Sequence, residues 1–306
     1  MQQALVRFDA SVDEPCSTLG KSAGLRDADM RKIHGIICGL ELARCPAQTE
    51  CPVGLLAQPL GSQHVVVARF RPASSPGAGA SPATWLIHVL VIPAGMYQEY
   101  GADPFFLAEN QPAIWDCSGD LPVLDLTFGP PPHRTVRQIR AILDTEPEKT
   151  QTLLGGVQAL IDGGRLVFQR AAPEVSIIRD LWNLLPYPSR AEIWPCTFLP
   201  GDPRRYHIVS TPGPTSAGFD HYLTEEQMGD YPEGRYERAL QEAAEQEDQV
   251  ELNGLFARRG RTQTLRLAWM LLAVFVIIPP LVLHGGCPAA RGGTQPGSAP
   301  AARHLP

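Results

Sequence analysis

With 306 residues, 44% of them apolar and 19% charged, the chain has enough material for the cores of two modest domains, which excludes disorder throughout. Its net charge of -6 offers no basic stripe, which argues against nucleic acid as a partner. The 30 prolines and 28 glycines exceed what two compact domains need and collect in loops and in the stretch 285–306.

The stretch from Met1 to Asp9 has neither a positive n-region nor a long apolar run, so no signal peptide is expected, and residues 4–8 alternate as a short strand. Residues 15–24, PCSTLGKSAG, overlay two catalytic patterns. The tail of a phosphate loop, Gly20-Lys21-Ser22, is present, but Pro15 occupies the position of its first glycine and lacks the N–H a phosphate cradle needs. The same residues spell Gly20-x-Ser22-x-Gly24, the form of a nucleophile elbow, so Ser22 is the candidate nucleophile of an alternative reading as an anchored serine hydrolase. That reading wants an apolar strand before the serine, which VDEPCSTL is not, and a histidine base. His88 lies in a strand, His207 begins one and His221 is in a loop, all in contexts ordinary for structural histidines.

Leu25, Ala28, Met30, Ile33, Ile37 and Leu40 recur at three and four and predict a helix over 26–40. The cysteines, at 16, 38, 45, 51, 117, 196 and 287, include no C-x-x-C pair. With no histidines at ligand spacing they read as reduced thiols. Asp116, Asp120 and Asp125 lack the spacing of a calcium loop, and no metal or cofactor is expected. HVVVARF (64–70) and TWLIHVLVI (84–92) predict two strands that pair antiparallel across the loop 71–83. A short helix is expected to end near Gly101, and GPPPH (129–133) reads as a domain boundary.

Beyond it, Thr135–Leu143 and TLLGGVQALIDGG predict helices, the second closed by Gly163-Gly164. Strands are expected at 165–168, 191–198 and 206–211, with a helix over 176–185 stopped by Pro186. Residues 224–251 hold ten acidic and two basic side chains. They predict a solvated helix with Pro232 in its first turn and Tyr236, Ala239, Leu240, Ala243 and Ala244 on one face, or a docking surface for a basic partner.

From Leu267 to Leu283 the chain reads LAWMLLAVFVIIPPLVL, with no charged side chain over roughly 25 Å of helix. Leu267, Trp269, Leu272, Phe275, Ile278, Pro279 and Leu283 mark this expected membrane anchor, Trp269 at the interface and the Pro279-Pro280 pair as a kink. Arg258, Arg259, Arg261 and Arg266 precede it, against Arg291 and Arg303 beyond. The positive-inside rule then leaves the N-terminal bulk in the cytoplasm.

The segments SAGLRDADMRKI, WLIHVLVI followed by GADPFFL, and LWNLLPYPSRAEIWPCTF followed by YHIVSTP resemble the bacterial GTPase-associated proteins over roughly residues 4–211. His88 with Asp103-Pro104 matches that family's N-terminal domain, and Leu185-Pro186 with Arg190 its middle domain. Cys-Thr-Phe replaces the family's strand end, and the loop 71–83 stands where a Gly-rich element is expected. The resemblance implies a non-catalytic adaptor for a small GTPase. The expected architecture is α+β: two mixed α/β cytoplasmic domains (1–129 and 130–220), an acidic helical stalk with a basic juxtamembrane segment (221–264), one transmembrane helix (265–284) and a disordered tail (285–306).

Overall fold

β-branched and other apolar residues fill the strands of the first third of the chain and draw them into one antiparallel sheet. In the computed structural model, which describes residues 1–45, 51–73, 84–117, 119–144, 146–201, 205–213 and 218–258, β1 (Gln2–Asp9) pairs with both β2 (Cys16–Ser22) and β5 (Thr84–Pro93). β3 (Gly54–Leu60) and β4 (His64–Pro72) continue the sheet, with β4 antiparallel to β5 in the register Val67 to Leu90. β3, β4 and β5 are buried on both faces. Leu55, Ala57, Val65, Val67, Leu90 and Ile92 enter one hydrophobic cluster, while Leu56, Val66, Ala68, Val89 and Val91 enter the other. The period of two along each strand makes that division.

α1 (Asp27–Cys38) covers the second cluster through Met30, Ile33, Ile36 and Ile37, spaced for one helical face. On the other face lie α2 (Ala94–Glu99) and α3 (Pro104–Asn110), which contribute Tyr97, Phe105 and Leu107. A short β6 (Gly119–Leu121) adds to β2 in parallel at the sheet edge. α4 (Val136–Leu143) begins at a Thr135/Gln138 capping box. α5 (Pro147–Ile161) is followed by Gly163 at φ 91, a left-handed residue that turns the chain into β7 (Arg165–Gln169).

α6 (Ser176–Leu184) and a turn of helix α7 (Tyr187–Arg190) precede β8, which is only Pro195–Cys196. The strand expected over 191–198 is therefore corrected to two residues. Trp194 instead spends its backbone on His207: its N–H donates to Nδ1 at 3.1 Å and its carbonyl accepts from the His207 N–H at 2.8 Å. β9 (Ile208–Thr211) and β10 (Tyr222–Leu223) complete a ten-stranded sheet of order β10-β7-β9-β8-β3-β4-β5-β1-β2-β6.

The two halves of the chain share this sheet. β8 meets β3 at Leu56 opposite Cys196, flanked by Leu55 N–H to Thr197 Oγ1 (2.7 Å) and Thr197 N–H to the Leu55 carbonyl (2.8 Å). Near the far end of β3 sits Pro59, exposed and without an N–H to offer a neighbour. One cluster also joins Leu55 and Phe105 to Leu153, Trp182 and Phe256, and residues Met1–Arg261 form one compact unit. The proline-rich stretch 129–133 runs within that unit.

The acidic segment is not a single solvated helix. α8 (Glu225–Gly229), α9 (Arg235–Glu245) and α10 (Gln249–Phe256) are separate, and Tyr236, Leu240, Ala243 and Ala244 are buried in the core. Pro232 precedes α9 instead of entering it. Glu247, at φ 56, breaks the helix, and Asp248 starts the next by accepting from the Val250 and Glu251 N–H groups at 2.9 Å. Among the described residues no helix is long and apolar enough to cross a membrane; the expected anchor and tail, 265–306, lie outside them.

Candidate functional site

Ser22 ends β2 with its side chain buried. Its hydroxyl donates to the Pro122 carbonyl at 3.0 Å and accepts from the Gln3 N–H at 3.0 Å. The nucleophile elbow is thereby corrected. The serine is held between two backbone groups, and α1 starts only at Asp27, so Ser22 is not presented on a strand-to-helix turn. The neighbouring phosphate-loop residues also have structural work. A side chain at Gly20 would lie 2.7 Å from the Gly119 carbonyl, so glycine lets β6 approach β2. Lys21 Nζ donates to Asp27 Oδ1 at 2.9 Å.

Ser22 stands at one end of a buried polar chain. Gln3 Nε2 donates to the same Pro122 carbonyl at 2.8 Å. Arg69 donates from one terminal nitrogen to the Ala108 carbonyl (2.6 Å) and from the other to His88 Nδ1 (3.1 Å). A guanidinium only donates, which fixes the His88 tautomer: Nδ1 accepts and Nε2–H donates to Gln3 Oε1 at 3.0 Å. Burial, with Arg69 adding to it, lowers the His88 pKa to about 4, and burial alone lowers that of Arg69 to about 10. A neutral histidine thus links strands β1, β4 and β5 to Ala108 of α3 and to the Pro122 carbonyl just after β6. Sequence reading finds His88 by type but misses Gln3 and Arg69, because a lone arginine inside an apolar run gives no local sign of its partner.

The residues that carry the family resemblance divide into two places. Asp103 and Arg190 come together, whereas His88 belongs to the chain just described. Asp103 caps α3, its Oδ1 accepting from the Phe105 and Phe106 N–H groups at 3.1 and 3.0 Å. Its Oδ2 takes a hydrogen bond from Arg134 at 2.9 Å and lies 3.9 Å from Arg190. Arg190 is fully buried, donates to the Leu185 and Asn183 carbonyls at 3.2 and 3.3 Å, and lies over the Tyr187 ring at 4.8 Å. Burial pulls its pKa down to about 10, opposed by Asp103. Two guanidinium groups against one carboxylate form a structural clamp between α3, the start of α4 and α7.

The surface of α8–α10 is the exposed candidate. With the apolar side chains turned inward, Glu226, Asp230, Glu242, Glu245 and Glu251 face solvent. Arg238 is neutralised by Glu233 at 2.8 Å and Arg140 of α4 pairs with Glu247. Val250 stands 82% exposed among these acids, and Arg258 lies exposed just past α10. An open cleft of about 580 Å³ runs beside this surface, lined by Thr135, Arg137, Arg140, Asp144, Glu247 and Gln249. Arg259, Arg261 and Arg266, with the anchor residues from Leu267 to Leu283, lie outside the described residues. Among the described residues no group of three His, Cys, Asp or Glu side chains is placed to hold a metal ion. Comparison with protein-family models, with curated proteins and with solved structures finds no match.

Proposed function

We propose that this chain is a non-catalytic, membrane-tethered adaptor whose N-terminal bulk faces the cytoplasm. The observation that carries the reading is the uncharged run Leu267–Leu283, preceded by Arg258, Arg259, Arg261 and Arg266 and following directly on the compact unit Met1–Arg261. The acidic face of α8–α10 precedes that basic segment in the chain and suits a partner with a cationic surface, held close to the bilayer by the tether. The resemblance over residues 4–211 makes a small GTPase the partner to look for.

Fractionation tests the tether. Full-length chain is expected in a carbonate-resistant membrane pellet, and a chain ending at Arg261 in the soluble fraction. A soluble full-length chain, or a truncated one that stays in the pellet, overturns the single-anchor reading. Affinity capture from detergent-solubilised membranes tests the adaptor: recovery of a small GTPase, weakened by salt and by Glu242→Lys with Glu245→Lys, supports it. Recovery of the same GTPase undiminished by those charge reversals removes the acidic face from the proposal.

A further inference from the structure

Two cysteines that lie far apart in sequence meet at the edge of the fold. Cys16 is the first residue of β2 and Cys38 the last residue of α1, and their sulfur atoms are 3.4 Å apart. Neither is in a disulfide. Cys38 is exposed and Cys16 half-buried. The pair is held in register by its surroundings. Cys16 donates to the His34 carbonyl at 3.9 Å, and one step along the same strand face Thr18 Oγ1 contacts His34 Nε2 at 3.1 Å. α1 is anchored by the buried residues Ile33 and Ile37 on its opposite side. A disulfide needs its sulfurs about 2.0 Å apart, so a closure of about 1.4 Å separates this contact from a bond.

We infer that Cys16 and Cys38 are a redox-active dithiol that a low-molecular-weight disulfide converts to a reversible cross-link between β2 and α1. The exposed Cys38, as thiolate, attacks one sulfur of the oxidant. The oxidant's S–S bond breaks, a mixed disulfide forms on Cys38, and the first small thiol leaves as thiolate and takes up a proton. Cys16 then loses its proton and attacks the Cys38 sulfur, expelling the second small thiol. The two cysteines give up two electrons and two protons, and one small disulfide becomes two small thiols.

The order of attack follows from the environment of each sulfur. Burial and the contact with Cys38 push the Cys16 thiol up, so Cys16 is the poorer initiator, and its sulfur 3.4 Å from that of Cys38 places it to resolve the mixed disulfide once its proton is lost. Closure would fix the spacing of β2 and α1, the two walls of the groove lined by Thr18, Lys21, Arg31 and His34.

The sequence makes the test direct. Trypsin places Cys16 in the peptide 8–21 and Cys38 in the peptide 33–44, each with a single cysteine. The full chain, in detergent, is incubated with oxidised glutathione, remaining thiols are alkylated, and the digest is mapped by mass spectrometry without reduction. Expected is the linked pair of these peptides as the dominant form of both, reversed by dithiothreitol and absent after the same treatment in guanidinium chloride. Cys16→Ser should leave a persistent glutathione adduct on Cys38, and Cys38→Ser should leave Cys16 free. Stable glutathione adducts on wild-type Cys38 without the linked pair, both peptides remaining unmodified, or a linked pair formed equally in denaturant would each overturn the inference.

Discussion

Asp103 and Arg190 approach to 3.9 Å inside the protein, the carboxylate from the start of α3 and the guanidinium from the end of α7. Each has other partners, Arg134 for the acid and the Leu185 and Asn183 carbonyls for the base. Arg190→Met should therefore orphan two buried carbonyls and lower stability by about 3–5 kcal/mol in urea melts of residues 1–261. A double-mutant cycle with Asp103→Asn, which keeps the α3 cap, should show a coupling of about 0.5–3 kcal/mol. Strict additivity would mean that Arg134 alone satisfies Asp103.

The buried histidines set an acid limit. His88 and His207 are both held neutral, their pKa lowered to about 4 mainly by burial, and His207 Nδ1 is committed to the Trp194 N–H. For a base with a depressed folded-state pKa, the unfolded chain binds the proton first. Its contribution is complete above about pH 6.5 and is lost as pH falls toward 4, at about 1.4 kcal/mol per pH unit for each group. The urea midpoint should decline across that window, and His207→Asn should flatten the decline. An unchanged slope in the variant would show that His207 makes no contribution to it.

Two glycines should respond to alanine in opposite directions. Gly155 of α5 packs on α8 so closely that a Cβ would collide with the Met228 carbonyl. Gly155→Ala should cost about 1–3 kcal/mol by forcing the helices apart. Gly35, exposed within α1, has nothing near its missing Cβ, and Gly35→Ala should add about 0.5–1 kcal/mol through helix propensity. Thermal melts of the pair test the α5–α8 contact.

Ser22→Ala should behave as a structural mutation. Removing the hydroxyl takes the acceptor from the Gln3 N–H and should cost about 1–3 kcal/mol. A fluorophosphonate probe should not label Ser22 in the folded protein. Labelling lost in Ser22→Ala would restore the hydrolase reading.

Much of the secondary structure is legible in the sequence because local pattern decides it. The runs at 64–70 and 84–92 pair as their β-branched content predicts, and the helix expected over 26–40 forms at Asp27–Cys38 and buries Met30, Ile33 and Ile37 of the repeat, with Ala28 left exposed. What local pattern misses is the long-range pairing. Nothing in residues 191–198 reveals that Trp194 bonds His207 instead of extending a strand, or that Thr197 reaches Leu55 in the other half. The apolar face of Tyr236, Leu240, Ala243 and Ala244 is legible in 224–251, but ten acidic side chains make it read as one solvated helix, where the structure breaks it into α8, α9 and α10 and buries that face in the core. The polar chain from Arg69 to Ser22 is invisible because each member takes its meaning from a partner on another strand.

The seam between β3 and β8 has a consequence for the order of synthesis. β1 to β5 lie within the first 93 residues and can assemble while the chain is still on the ribosome, but β8 begins only at Pro195. At translation rates of about 5–20 residues per second, β3 waits several seconds with an open edge. Pro59 withholds a donor from that edge, so a nascent chain that has not yet met its own β8 offers a poorer template to the β3 of a neighbouring polysome.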